Sequence, residues 1–432
     1  MVMKIFPPNF IWGTSTSAHQ IEGGNVNDWS QWELRNADRL AKEAPGKFEN
    51  VVPRWDLIKA AATDPQNYIS GKATDHYHLF REDIALMRSL NIKAFRFSIE
   101  WARIEPERGK FDQQAIEHYA EVLGVLKESG IEPFVTLWHR TNPLWIAEIG
   151  GWANPEIVRH FGNYVEKLTE VYGDKIKFWM TLNEPILSLV GGYLGGVYPP
   201  GKKNIFAALK VFKHSVAAHN FSSEIIHKNV AGAQVGIPHA AVYAEAYKNR
   251  WYNRALVSLV HYFADWKYLK AIERHTDFIG IQYYQRALLN INILGKGAAS
   301  QSGGLIQQIK GAGPESDMGW EFSPEGLYRF IKEAQQRFPK IPLYISENGI
   351  ADAEDQFRAG FIKEHLRAAH RAISEGVDLR GYFYWSLLDN LEWDKGFWPR
   401  FGLLEVDYKN FKRTVRDSAR IYSEIIKNNG LE

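Results

Sequence analysis

The 432-residue chain is 45% hydrophobic and 24% charged, the proportions of a globular protein with apolar material for one large core. Lys and Arg number 52 against 50 Asp and Glu, so there is no basic excess of the kind that neutralises a nucleic-acid backbone. Cysteine is absent, which removes disulfides and thiol chemistry. No secretory leader or run of 18 apolar residues is evident, so the expectation is a soluble, cytoplasmic protein with no integral membrane segment.

Residues 10–17 form the first apolar, strand-like run, and an insertion at roughly 36–72 is expected to carry short helices. The second and third runs, 94–100 and 131–138, flank a stretch at 112–129 whose apolar residues recur at three- and four-residue intervals, as on a helix buried along one face. The fourth run is 177–183, and the glycine-rich 191–196 after it reads as a rim turn. Runs five and six are 234–238 and 277–283, followed by a Gly-, Ser- and Ala-rich stretch, 295–313, read as a mobile rim loop. The seventh run is 342–347, the helical stretch 354–375 comes next, and the eighth run is 380–387. Eight strand and helix units without a Pro/Gly/Ser linker predict one (β/α)8 TIM barrel across residues 1–432, with its site at the C-terminal rim of the strands.

Two of these runs end in a glutamate: Thr181-Leu182-Asn183-Glu184-Pro185 and Tyr344-Ile345-Ser346-Glu347-Asn348-Gly349. Cleavage of a glycosidic bond with retention needs one carboxylic acid to protonate the leaving oxygen and one carboxylate to attack the anomeric carbon, about 5–5.5 Å apart. Strands four and seven of a barrel can supply that pair, but spacing alone does not say which glutamate does what. Arg96, inside Phe95-Arg96-Phe97-Ser98-Ile99-Glu100-Trp101, is a charge in an apolar strand and must be paired. It either holds one glutamate ionised and leaves the proton to the other, or makes a structural salt bridge. There is no His-Glu-x-x-His pattern, P-loop or dinucleotide fingerprint, and neither metal nor cofactor is expected.

Five ordered motifs give the chain a resemblance to glycoside hydrolase family 1, the β-glucosidase and β-galactosidase group, over nearly its whole length. Phe10-Ile11-Trp12-Gly13-Thr14-Ser15-Thr16-Ser17-Ala18-His19-Gln20-Ile21-Glu22-Gly23 is similar to the family's entry signature, and the Arg96 stretch follows. Val135-Thr136-Leu137-Trp138-His139, the two glutamate motifs and Tyr384-Trp385-Ser386-Leu387-Leu388-Asp389-Asn390-Leu391-Glu392-Trp393 complete the set. The resemblance implies that Glu184 is the acid/base and Glu347 the nucleophile, with Arg96, Asn183 and Tyr284 supporting them. It further implies that Gln20, His139, Asn183, Trp385, Glu392 and Trp393 bind the sugar. Trp145 and Trp320 are candidate aglycone platforms. The implied activity is retaining hydrolysis of terminal β-D-glycosides, β-glucosides first, with β-galactosides and β-fucosides as side substrates; a transglycosidase and a non-catalytic carbohydrate-binding barrel are the alternatives. The partner is a small β-glycoside or oligosaccharide, and a homo-oligomer is possible.

Two positions depart from the family pattern. Arg140 stands where an aromatic residue usually follows the motif histidine, which puts a charged donor near the rim. Gln282 stands where Asn is frequent, one methylene longer. Glu392 would repel a phosphate, so an unphosphorylated sugar is expected despite nearby Lys395.

Overall fold

The computed structural model describes residues 3–241, 243–291, 306–309, 311 and 313–432. Its centre is a closed barrel of eight strands: β1 Ile11–Ser15, β2 Ala94–Ser98, β3 Glu132–Trp138, β4 Phe178–Leu182, β5 Gln234–Ala240, β6 Phe278–Tyr283, β7 Leu343–Asn348 and β8 Leu379–Trp385. Neighbours pair in chain order, every pair is parallel, and β8 closes onto β1. β2, β4, β6 and β7 are buried at every position, as strands must be when helices cover one face and a packed interior fills the other.

The helices predicted at 112–129 and 354–375 form where their apolar spacing puts them. α1, Gln113–Glu128, follows β2; its N-cap Asp112 accepts from the Ala115 N–H at 2.9 Å. Its buried face is Ala115, Ile116, Tyr119, Val122, Leu123 and Leu126. α2, Ile205–Asn229, runs beyond β4, and α3, Arg358–Ser374, beyond β7, burying Phe361, Ile362, His365, Leu366, Ala369 and Ala372.

Inside the barrel, Phe134, Phe178, Phe278, Tyr344 and Phe383 pack with Ala94 and Met180 as a separate apolar cluster. Phe134 stacks on Phe178 at 4.1 Å and meets Phe383 edge-on at 4.7 Å. Glycine makes room for this aromatic plug: a Cβ on Gly236 would lie 2.3 Å from the Phe278 ring, and one on Gly13 2.3 Å from Phe383.

Two connections differ from expectation, and a third lies mostly outside the described residues. The insertion after β1 begins earlier and is dominated by one 21-residue helix, Asp28–Phe48, started by a capping box between Asn27 and Ser30. Trp55–Ala62 and Pro65–Tyr68 are the short helices that follow it. The glycine-rich stretch after β4 is helical, Val190–Gly195, rather than a turn; a Cβ on Gly191 would overlap the Tyr198 ring, so glycine lets that ring close over it. Most of the stretch 295–313 lies outside the described residues; within it, Ile306–Ile309 pairs antiparallel with Arg286–Ile291.

Candidate active site

Glu347 owes its position to a break in strand register. Tyr344 belongs to the interior plug, whereas Leu343 and Ile345 belong to the helix-facing core, so strict alternation would send Glu347 outward. Against β6, however, the pairing steps from Ile345 opposite Ile281 to Glu347 opposite Gln282, two residues for one. Such a bulge re-aims the side chain that follows it. Glu347 thereby reaches Arg96 and Gln282 through Oε1, and Oε2 accepts from the Tyr284 hydroxyl at 2.5 Å. Burial raises its carboxyl above the ordinary range; Arg96 opposes the rise, neighbouring Glu184 adds to it, and the Tyr284 hydrogen bond opposes it. Tyr284, partly buried beside that charge, is raised well above the usual phenol value by desolvation and by Glu347, and remains a donor.

Arg96 is fully buried and makes an ion pair with Glu347 inside the barrel. Its Nη2 donates to Asn183 Oδ1 at 2.6 Å, and Gln282 Nε2 donates to the same oxygen at 2.9 Å. Gln282 therefore bridges Asn183 and Glu347. With its oxygen so occupied, the Asn183 amide presents Nδ2 to His139 Nε2 at 3.1 Å. Burial, then Arg96 and Arg140, hold His139 well below its usual value. The ring is neutral, Nε2 accepts, and the proton sits on Nδ1, which is buried without a partner.

Arg140 is the main departure from the sequence reading. It is not a solvated charge: it is only 8% exposed and makes an ion pair with Glu184 through Nη2 and Oε2. Both residues have left-handed backbones, Arg140 at φ 71 and Glu184 at φ 45, a conformation that non-glycine residues keep at a cost, mostly where function requires it. Each glutamate thus carries its own guanidinium, Glu347 that of Arg96 and Glu184 that of Arg140. Arg140 ties down Oε2 alone of the two carboxylate oxygens of Glu184.

Gln20, His139, Glu184, Gln282, Tyr284, Glu347, Trp385, Glu392 and Trp393 line one cavity of about 310 Å³, with Arg140, Tyr198, Met318 and Trp320 beside them. His139 lies roughly parallel to Trp385 and Trp393, at 6.4 and 5.9 Å. Gln20 contributes less freely than expected: its Nε2 is taken by Asn390 Oδ1 and the Leu391 carbonyl, and its Oε1 accepts from Ser17. Burial pushes Glu392 up to about 8 against Lys395 and Arg140, which favours its protonated form near neutral pH and weakens the repulsion of a phosphate expected from the sequence. Lys395 pairs with Asp394 at 2.8 Å. Of the two aglycone candidates, Trp320 lines the cavity and Trp145 does not. Trp145 donates to the Glu105 carbonyl at 3.0 Å and packs edge-on to Trp101 and His160 as a loop anchor. Tyr198, which sequence reasoning missed, had one usable signal, the run of close-packing glycines just before it.

A parallel eight-stranded barrel whose rim brings two glutamates into one polar, tryptophan-walled cavity is built as glycoside hydrolases are, and the wider comparison agrees. The sequence profile of Glycosyl hydrolase family 1 matches residues 2–266 and 262–431, and the chain belongs to that family. It is 33% identical to β-glucosidase A of Thermotoga maritima over the full length of both chains. Among solved structures, it resembles a β-glycosidase from Pyrococcus horikoshii, at 35% identity and TM-score 0.86, over 100% of this chain and 97% of the other. It also resembles the Thermotoga maritima β-glucosidase in complex with glucoimidazole, at 32% identity and TM-score 0.85, over 99% of this chain and 100% of that one.

Proposed function

We propose that the protein is a retaining β-glucosidase acting on the terminal non-reducing sugar of small β-glycosides and oligosaccharides, with β-galactosides and β-fucosides as side substrates. Glu347 attacks the anomeric carbon as the bond to the aglycone breaks, and Glu184 gives its proton to the departing oxygen. Glu184 then takes a proton from water, whose oxygen displaces Glu347 and releases the sugar with its original configuration. The observation that carries this reading is a Glu347 held from below by Arg96, Gln282 and Tyr284 in the same cavity that Glu184 lines. Since Arg140 engages Oε2 of Glu184, Oε1 is the oxygen that exchanges the proton. His139 Nδ1 and a protonated Glu392 offer donors to a neutral sugar, and Trp385 and Trp393 offer it apolar faces. The relatives named as β-glucosidases favour glucose as the first sugar to try.

The test is steady-state turnover of nitrophenyl β-glucoside, β-galactoside, β-fucoside and β-mannoside by wild type, Glu347→Ala and Glu184→Ala, with and without azide. Wild type should be active and Glu347→Ala inactive. Glu184→Ala should be slow and recover in azide with a β-glycosyl azide as product. Full activity of Glu347→Ala would refute the assignment of the nucleophile.

A further inference from the structure

Arg140 has more donors than partners. Nη2 is on Glu184, but Nε and Nη1 are both buried without a hydrogen-bond partner. Buried polar groups are nearly always paired, and leaving one without a partner forfeits its solvation. The group is held there all the same, by its left-handed backbone and by the rings of Trp393 and Tyr198 at 5.3 and 5.7 Å from its guanidinium carbon. It lines the active-site cavity and also forms part of the wall of a second cavity of about 140 Å³ bordered by Asp28, Asn142 and Trp152.

The surrounding charge selects the ligand class. Glu184 touches the guanidinium, and Glu347 and Glu392 lie close enough to act on it. The Glu184 carboxyl group already paired with the guanidinium would oppose a carboxylate or phosphate brought to Arg140, whereas neutral hydroxyl oxygens meet no such repulsion. We propose that Arg140 is a specificity-determining residue: anchored on Glu184 through Nη2, it donates its free N–H groups to hydroxyl oxygens of the bound glycoside and so selects fully hydroxylated sugars over deoxy sugars. This rests on the glycosidase reading above. An aromatic side chain, usual at this position, could supply no comparable fork of donors.

The test compares kcat/KM for nitrophenyl β-glucoside and its 2-, 3-, 4- and 6-deoxy analogues in wild type, Arg140→Met and Arg140→Lys, with circular dichroism to establish folding. For at least one position, the wild-type penalty for removing the hydroxyl should exceed that of Arg140→Met by about tenfold, the loss expected for a hydrogen bond from a charged donor. Arg140→Lys keeps the charge near Glu184 but not the fork, and should fall between. A general structural role would slow all five substrates alike, so the same ladder of deoxy penalties in whichever variants fold overturns the proposal. Folded wild type that turns over none of the substrates would instead refute the glycosidase reading, so the two failures are distinguishable.

Discussion

Adding one methyl group inside the barrel, Gly236→Ala, tests whether the aromatic plug is as tightly set as its geometry implies. The new Cβ would lie 2.3, 2.4 and 2.6 Å from three carbons of the Phe278 ring. Apolar carbons rest about 3.5–4.0 Å apart, so the ring must retreat by more than about 1 Å. Its other neighbours leave little room: Tyr344 at 5.3 Å, Phe178 at 6.0 Å and Phe134 at 6.2 Å between ring centroids. Overpacking of this kind costs about 1–3 kcal/mol, and the upper half of that range is expected. A chain this long gains roughly 0.9 kcal/mol per kelvin of unfolding entropy, so the midpoint should fall by only about 2–3 °C. Scanning calorimetry resolves such a shift, and the second arm sharpens it: Phe278→Leu is destabilising by itself, yet combined with Gly236→Ala it should cost clearly less than the two single changes together. An unchanged midpoint in Gly236→Ala, or strict additivity in the pair, would refute the claim that glycine is there to admit the ring.

The Tyr284 hydrogen bond pulls the raised Glu347 carboxyl downward, so Tyr284→Phe should let it rise further; the acid limb of kcat/KM against pH then moves to higher pH, and a shift to lower pH would refute the contact. Glu392 ionises near 8 when folded and near the ordinary carboxyl value when unfolded, so across that window the folded state holds a proton the unfolded state has lost, and stability falls as pH rises. Glu392→Gln should therefore gain stability over wild type progressively between about pH 5 and 8, on the order of 1.4 kcal/mol per unit at most, measured by urea unfolding; a pH-independent difference would contradict the burial. Gln282→Ala withdraws a donor from both Asn183 and Glu347 and should lower kcat/KM by about tenfold or more, measured on nitrophenyl β-glucoside. Trp145→Phe should leave KM for aryl glycosides unchanged while Trp320→Ala raises it, in a side-by-side Michaelis–Menten comparison.

The two glutamates were legible because each closes an apolar run with a short, distinctive motif, and the barrel because eight such runs recur between amphipathic stretches. What could not be read was orientation. Parallel strands are apolar on both faces, so nothing in the pattern separated the interior Phe134 and Phe178 from the helix-facing Val135 and Trp179. Arg140 follows a strand and reads as a charged donor near the rim; the positive φ and the ion pair with Glu184 leave no mark in the sequence. Gln282 was visible as one methylene too long, but its reach across to both Asn183 and Glu347 depends on a β7 bulge with no sequence signature. Trp145 and Trp320 look alike in sequence, and only the packing of Trp145 against Trp101 and His160 marks it as an anchor. The helix Asp28–Phe48 was obscured by Pro45 and Gly46 near its end, residues that ordinarily punctuate a helix.

The layer of rings across the barrel floor makes the pocket a cul-de-sac. Phe134, Phe178, Phe278, Tyr344 and Phe383 close the end opposite the rim, so whatever enters must leave by the same mouth. A polymer cannot thread through such a vessel; it can offer only its tip. The portion nearest the mouth departs first and the innermost unit last, one unit per cycle. The liberated monosaccharide, seated deepest, is then the ligand that competes with the next chain end for entry.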